Sequence, residues 1–113
     1  MQSAGRSILV VDDEAVIRDL MTEILTDEGF EVVSAPDGPH ALNNLRDRRD
    51  FQLLFTDIMM PEMDGIQLIR EARRIAPSMI PIVMTGYATL VSARAAVREG
   101  AYVYVLKPFS QSE

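Results

Sequence analysis

The chain has 113 residues, which is enough for one domain with a substantial core and leaves no room for a second. Its formal net charge of -6 argues against a surface built to neutralise nucleic-acid phosphates. No disulfide can form because there is no cysteine, and no apolar run is long enough for a membrane span or a signal peptide. We therefore expect one unprocessed cytoplasmic domain over residues 1–113, with its core at about 7–109.

Five short apolar runs predict β-strands. The runs are 7–11, 31–35, 51–56, 80–85 and 102–106. They are almost continuously apolar, whereas a half-exposed strand would alternate apolar and polar residues. Such runs are typical of a parallel sheet that helices cover on both faces.

Four helices fit between these strands. The first has an apolar stripe of helical spacing, which ends at Gly29. The stripe consists of Ile17, Leu20, Met21, Ile24 and Leu25. The second helix covers about 39–48, the third ends before the proline at 77, and the fourth covers 89–99. This alternation predicts an α/β fold, a flavodoxin-like doubly wound parallel sheet of five strands in the order 2-1-3-4-5. We expect the arginines at 46–49 and 70–74 to be solvated at helix ends.

The chain stops where a fifth helix of this fold would begin. Residues 110–113 have the S-x-x-E spacing of a capping box. We therefore expect the fifth helix to be missing or truncated, as in a piece of a longer chain. A sheet face left bare in this way would expose apolar area, which favours a dimer or a domain swap.

Acidic residues end two strands that the predicted order makes neighbours. Asp12 and Asp13 follow the first strand, and Asp57 follows the third. Three carboxylates at one edge repel one another unless a cation lies among them, and an all-oxygen ligand set suits Mg²⁺. The plainer alternative is that these acids are solvated helix caps, and this alternative is strongest for Asp13.

Two further strands end at the same edge with a hydroxyl and an ammonium group. Thr85 ends the fourth strand, and Lys107, the only lysine, follows the fifth. A lone charge after an apolar strand needs a partner. An acid nucleophile, a divalent cation, a hydroxyl and a lysine together are what phosphoryl transfer to a carboxylate requires.

These motifs, in this order, resemble the receiver domain of two-component response regulators. Besides the acid pair, they are TDIMMPEMDG around Asp57, MTGYA around Thr85 and GAYVYVLKPF around Lys107. The resemblance extends from Ile8 to Phe109 and implies that Asp57 accepts a phosphoryl group from a histidine kinase or a phosphotransfer protein. It also implies a signalling domain that assists its own phosphorylation and dephosphorylation without conventional turnover. An output domain or effector would lie outside the chain.

The resemblance implies metal ligands as well. Asp13, Asp57 and the backbone carbonyl of Met59 would coordinate Mg²⁺. Asp12 would place the water ligands of the ion. The ion would therefore be the cofactor of the domain.

The remaining roles concern the bound phosphoryl group and the response to it. Lys107 and Thr85 would bind its oxygens. Thr85 would then move toward it, and Tyr104 would turn inward to fill the space that Thr85 leaves. This switch would change the face formed by the fourth helix and the fifth strand. The alternative for Tyr104 is a half-buried aromatic residue that never moves.

Two other functions remain open. A Mg²⁺-dependent phosphohydrolase, either a phosphatase or a nuclease, would use the same acids to direct water, but the chain has no D-x-D pair and no basic groove. A pseudo-receiver that only binds a partner would lack one of the acids or the lysine, and none is lacking.

Overall fold

The computed structural model describes residues 6–48, 50–58, 60–85, 98–100 and 104–106. The strands in these ranges are β1 (Ser7–Val11), β2 (Glu31–Ala35), β3 (Phe51–Thr56), β4 (Ile80–Thr85) and β5 (Tyr104–Leu106). The helices are α1 (Ala15–Asp27), α2 (Gly38–Asp47) and α3 (Gly65–Ile75). Most of the predicted fourth helix lies outside the described residues, as do all residues from 107 on, including 110–113, where a fifth helix would begin.

All five strands form one parallel sheet in the order β2-β1-β3-β4-β5. The prediction of a flavodoxin-like, doubly wound fold is therefore confirmed. β1 to β4 have the predicted bounds, and only residues 104–106 of the predicted fifth strand are described. None of the helices in the described ranges is both long and apolar enough to cross a bilayer.

The interior strand β1 is buried along its whole length, and its side chains alternate between two hydrophobic clusters. Leu9 and Val11 belong to the cluster that α2 and α3 cover. Ile8 and Val10 belong to the cluster that α1 covers. Helices therefore bury both faces of this strand, which explains why its sequence is an unbroken apolar run.

Fewer residues of the predicted apolar stripe of α1 are buried than its spacing suggests. Ile17 and Met21 are buried against the sheet, whereas Leu20 and Leu25 are half-buried. Ile24 lies on the same face of the helix as Ile17 but is 45% exposed. The two other helices begin at aspartate caps, where the Asp37 carboxylate accepts the amide of His40 at 2.9 Å and the Asp64 carboxylate accepts the amide of Gln67 at 2.8 Å.

Arg48 joins three segments at the amino edge of the sheet, opposite the acidic residues. Its guanidinium donates to both carboxylate oxygens of Asp50 at 2.9 and 3.0 Å, to Glu31 at 3.1 Å and to the Ser7 hydroxyl at 2.8 Å. It also lies 4.7 Å from the centre of the Phe51 ring. Hydrogen bonds from Arg48 lower the pKa of Glu31 and of Asp50. The prediction that this arginine is simply solvated is therefore wrong.

Candidate functional site

Asp12 and Asp57 lie side by side because of the register between β1 and β3. Val11 pairs with Thr56, so the two acids are the next residues along neighbouring strands. The Asp57 amide donates to the Val11 carbonyl, and the Asp12 amide donates to the Ala35 carbonyl, each at 3.2 Å. Asp12 is 0% exposed and Asp57 is 5% exposed. Sheet hydrogen bonding thus fixes the main chain of both acids at a buried edge.

The loop from β1 to α1 holds Asp12 by two more contacts. The amide of Glu14 donates to Asp12 Oδ1 at 2.9 Å, which closes a tight turn around the carboxylate. Arg18 reaches back from the first turn of α1, and its Nη1 donates to the Asp12 carbonyl at 2.7 Å. Asp13 lies between these contacts and is exposed. The N-cap position of α1 is occupied by Glu14, so the capping alternative for Asp13 loses its basis.

The three acids converge on one place. One carboxylate oxygen from each of Asp12, Asp13 and Asp57 lies within 4.8 Å of the others. This spacing is within reach of a single divalent cation, whose opposite ligands lie about 4 to 5 Å apart. All of the donors are oxygens, which are the ligands that Mg²⁺ prefers. The residues present therefore fit a hard divalent cation.

The loop after Asp57 turns back immediately toward that residue. The Thr56 hydroxyl donates to the Asp57 carbonyl at 2.9 Å, and the Gly65 amide donates to the Ile58 carbonyl at 2.8 Å. Between them, the Met63 amide donates to the Pro61 carbonyl at 2.8 Å across Glu62, which has a φ of 71°. A turn of this kind is strained for a residue with a side chain. It lets a short loop bring α3 directly against Asp57.

The other predicted site residues belong to β4, to β5 or to residues outside the described ranges. Thr85 is the last residue of β4 and pairs with Leu106 of β5, so its backbone lies at the carboxyl edge of the sheet. Tyr104 begins β5. Met59 and Lys107 lie outside the described residues.

Arg18 and Gly65 are the residues at this site that the sequence prediction missed. The only indication of Gly65 is the Asp-Gly pair that ends a proline-containing loop. For Arg18 no local pattern identifies the contact, because an arginine in the first turn of a helix is ordinarily solvated.

The fold and the acid cluster define a class, namely a flavodoxin-like domain with a candidate cation pocket at the carboxyl edge of its parallel sheet. Residues 8–113 match the response regulator receiver domain, and the chain belongs to that family. The resemblance seen in the sequence is thereby confirmed. Members of the family are signalling domains of two-component systems and not conventional enzymes.

Individual relatives agree with this assignment. The chain is 40% identical over 111 residues to the regulatory protein AtoC of Escherichia coli (strain K12), covering 98% of this chain and 24% of AtoC. It thus spans about a quarter of the length of that relative. A response regulator receiver domain protein (CheY-like) from Methanospirillum hungatei JF-1 has a TM-score of 0.87 and 35% identity, covering 93% of this chain and 83% of that one.

A second solved structure comes from Burkholderia pseudomallei. It is a response regulator with a phosphorylated aspartic acid, a calcium ion and citrate. Its TM-score is 0.86 at 28% identity, and the match covers 95% of this chain and 62% of that one.

Proposed function

We propose that this chain is a phosphoryl-accepting receiver in which Asp57 is the nucleophile. The observation that carries the proposal is the burial of the Asp57 carboxylate at the end of β3, within 4.8 Å of the carboxylates of Asp12 and Asp13. An Asp57 oxygen forms a bond to phosphorus as the P–N bond of a phosphohistidine breaks, and the electron pair of that bond stays on the imidazole nitrogen. Catalysis of such a transfer consists mainly of positioning and charge neutralisation.

The acid cluster would hold Mg²⁺. Asp13, Asp57 and the backbone carbonyl of Met59 would be ligands, and Asp12 would orient the water ligands. A bound divalent cation supplies neutralisation of the charge on the phosphoryl oxygens. The Burkholderia structure, which combines a phosphorylated aspartic acid with a calcium ion, supports this assignment by similarity.

Thr85 and Lys107 would bind the phosphoryl oxygens from the neighbouring strand ends. Thr85 lies two residues beyond Val83, which pairs with Thr56, so its backbone is near the level of Asp57. Lys107 is the residue after Leu106, where β5 ends. Thr85 and Tyr104 would then carry the switch to the face formed by β5 and the predicted fourth helix at 89–99.

The partners follow from the same proposal. A histidine kinase or a phosphotransfer protein would supply the phosphoryl group in the cytoplasm. Because the chain spans 24% of AtoC, an output domain or a separate effector would receive the signal outside these residues. With a net charge of -6, the receiver itself would make no contact with nucleic acid.

Incubation with Mg²⁺ and acetyl phosphate, followed by intact-mass measurement, tests the proposal. We expect the wild-type chain to gain one phosphoryl group, Asp57→Asn to gain none, and Asp47→Asn, at an exposed acid of α2, to behave as wild type. Sustained turnover of a phosphoester would instead favour the phosphohydrolase. A wild-type chain that gains no mass would favour the pseudo-receiver.

A further inference from the structure

We infer that Arg18 is a positioning residue for the acid cluster, and that its hydrogen bond to the Asp12 main chain sets the affinity of the cluster for a divalent cation. The inference rests on the proposed function, because it takes the cluster to be a cation site. It concerns a residue of α1 that contributes no ligand atom.

Among the described residues, three hydrogen bonds to Asp12 can be compared, and the bond from Arg18 is the shortest of these three. The Asp12 amide donates to Ala35 at 3.2 Å, and its Oδ1 accepts the Glu14 amide at 2.9 Å. The Arg18 guanidinium donates to the Asp12 carbonyl at 2.7 Å. A charged donor at this distance makes one of the stronger kinds of protein hydrogen bond. Removing it leaves the loop with only neutral contacts to Asp12 among those described above.

Arg18 also fixes the other end of the same loop. Its own amide donates to the Glu14 carbonyl at 3.1 Å, while its side chain reaches Asp12. The main chain on either side of Asp13 is therefore tied to one residue. Because Asp13 is exposed, the position of its carboxylate depends on the main chain that these two hydrogen bonds hold on either side of it.

Two effects of opposite sign follow from removing Arg18. Its positive charge repels a bound cation, so neutralising the charge would tighten binding. Losing the side-chain hydrogen bond to the Asp12 carbonyl lets the ligands move, so it would weaken binding. Arg18 is partly exposed and its charge is screened by water, which limits repulsion to a few-fold effect at most. Loss of a residue that orients metal ligands typically lowers metal affinity about 10-fold to 100-fold. The loss of orientation therefore outweighs the loss of charge repulsion, and the net effect is weaker binding.

A titration with Mn²⁺, followed by the electron paramagnetic resonance of the free ion, measures the affinity directly. Because Arg18 contacts main chain and not a carboxylate, we expect Arg18→Met to bind about tenfold more weakly, at the lower end of that range. Arg18→Lys keeps the charge and can still donate a single hydrogen bond from its ammonium group, and we expect it to stay within about threefold of wild type. Arg74→Met, at an exposed arginine of α3, is the matched control and should leave the affinity unchanged.

Phosphorylation by acetyl phosphate supplies a second readout. Arg18→Met should need about tenfold more Mg²⁺ for the half-maximal rate and should reach the wild-type rate at saturation. Hydrogen exchange at the Glu14 amide should quicken, while exchange at the Met21 amide in the middle of α1 should not change. Should the Met variant fail to fold, Arg18→Gln, which is too short to cross the loop, takes its place with the same expectations.

The inference is overturned if the folded variant that lacks the contact binds Mn²⁺ as tightly as wild type, or more tightly. It is also overturned if wild type does not bind Mn²⁺. A wild-type chain that binds Mn²⁺ but gains no phosphoryl group refutes the proposed function alone, since the titration still decides the role of Arg18.

Discussion

Gly65 lies so close to the main-chain carbonyl of Asp57 that no side chain fits between them. A Cβ at position 65 would come 2.8 Å from the carbonyl carbon of Asp57 and 2.9 Å from the Cα of Ile58. The Gly65 amide meanwhile donates to the Ile58 carbonyl at 2.8 Å. The first turn of α3 is thus seated directly against the proposed phosphoacceptor, and the glycine is required by this contact with backbone.

Gly65→Ala should therefore lower the free energy of unfolding by roughly 2 to 3 kcal/mol, because either α3 or the end of β3 must move. Urea unfolding followed by circular dichroism measures the change. Gly29→Ala is the control, since a Cβ there meets nothing within 4 Å and only its φ of 95° is unfavourable. That variant should lose about 1 kcal/mol. Equal losses in the two variants would contradict a steric role for Gly65.

The Arg48 network should make stability depend on pH. Hydrogen bonds from Arg48 lower the pKa of Glu31 and Asp50 in the folded chain below the ordinary values of 4.5 and 3.8. The unfolded chain therefore takes up protons first as the pH falls, and the stability from the network, complete near neutral pH, is lost below about pH 5. Because both carboxylates are exposed and water screens them, the effect is modest, and Arg48→Met should reduce stability more at about pH 7 than at about pH 3.

Urea midpoints at several pH values measure this difference, and Arg46→Met is the matched control. Arg46 is exposed on α2 and donates to the neutral amide oxygen of Asn43 at 3.2 Å. Its replacement should change stability by an amount that does not vary with pH between these limits. If the effect of Arg48→Met were equally constant, the pH dependence of the wild type would have another origin.

The sequence predicts the fold well where a residue's environment is decided by its neighbours along the chain. The continuous apolar run of β1 predicts a strand buried on both faces, and both of its faces are buried. The meeting of Asp12 with Asp57 is also predictable, since it follows from the strand order alone. Once β1 and β3 are neighbours and parallel, acids at their carboxyl ends must share an edge.

Contacts between residues far apart in the chain are not predictable in this way. Arg48 lies 41 residues from Ser7, and nothing in the local sequence distinguishes it from an arginine that is solvated at a helix end. Gly65 must be glycine because of a backbone eight positions earlier, and Arg18 reaches across a loop whose conformation is set by Asp12 and Glu14. Long side chains and close backbone approaches depend on tertiary geometry, which the apolar pattern does not encode.

Repulsion among the three acids should lower the stability of the metal-free chain, and a bound cation should remove this repulsion. Asp13 is the exposed member, within 4.8 Å of the carboxylate oxygens of Asp12 and Asp57. Asp13→Asn removes one of three like charges, so in a chelator the variant should be more stable than wild type by roughly 1 kcal/mol or less, since water screens the exposed charge. In excess Mg²⁺ the wild type should be the more stable of the two, because it binds the ion more tightly. A ligand bound only by the folded state stabilises it by about 2.7 kcal/mol at one hundred times its Kd.

Urea unfolding of Asp13→Asn and Asp19→Asn, each in chelator and in Mg²⁺, measures the stability of the metal-free and of the metal-bound chain. Asp19 is an exposed acid in the middle of α1, so its replacement changes the net charge equally but leaves the cluster intact. It should respond to Mg²⁺ as wild type does. An Asp13→Asn chain that is less stable than wild type in chelator would show that Asp13 supports the loop, and that this support outweighs the repulsion among the acids.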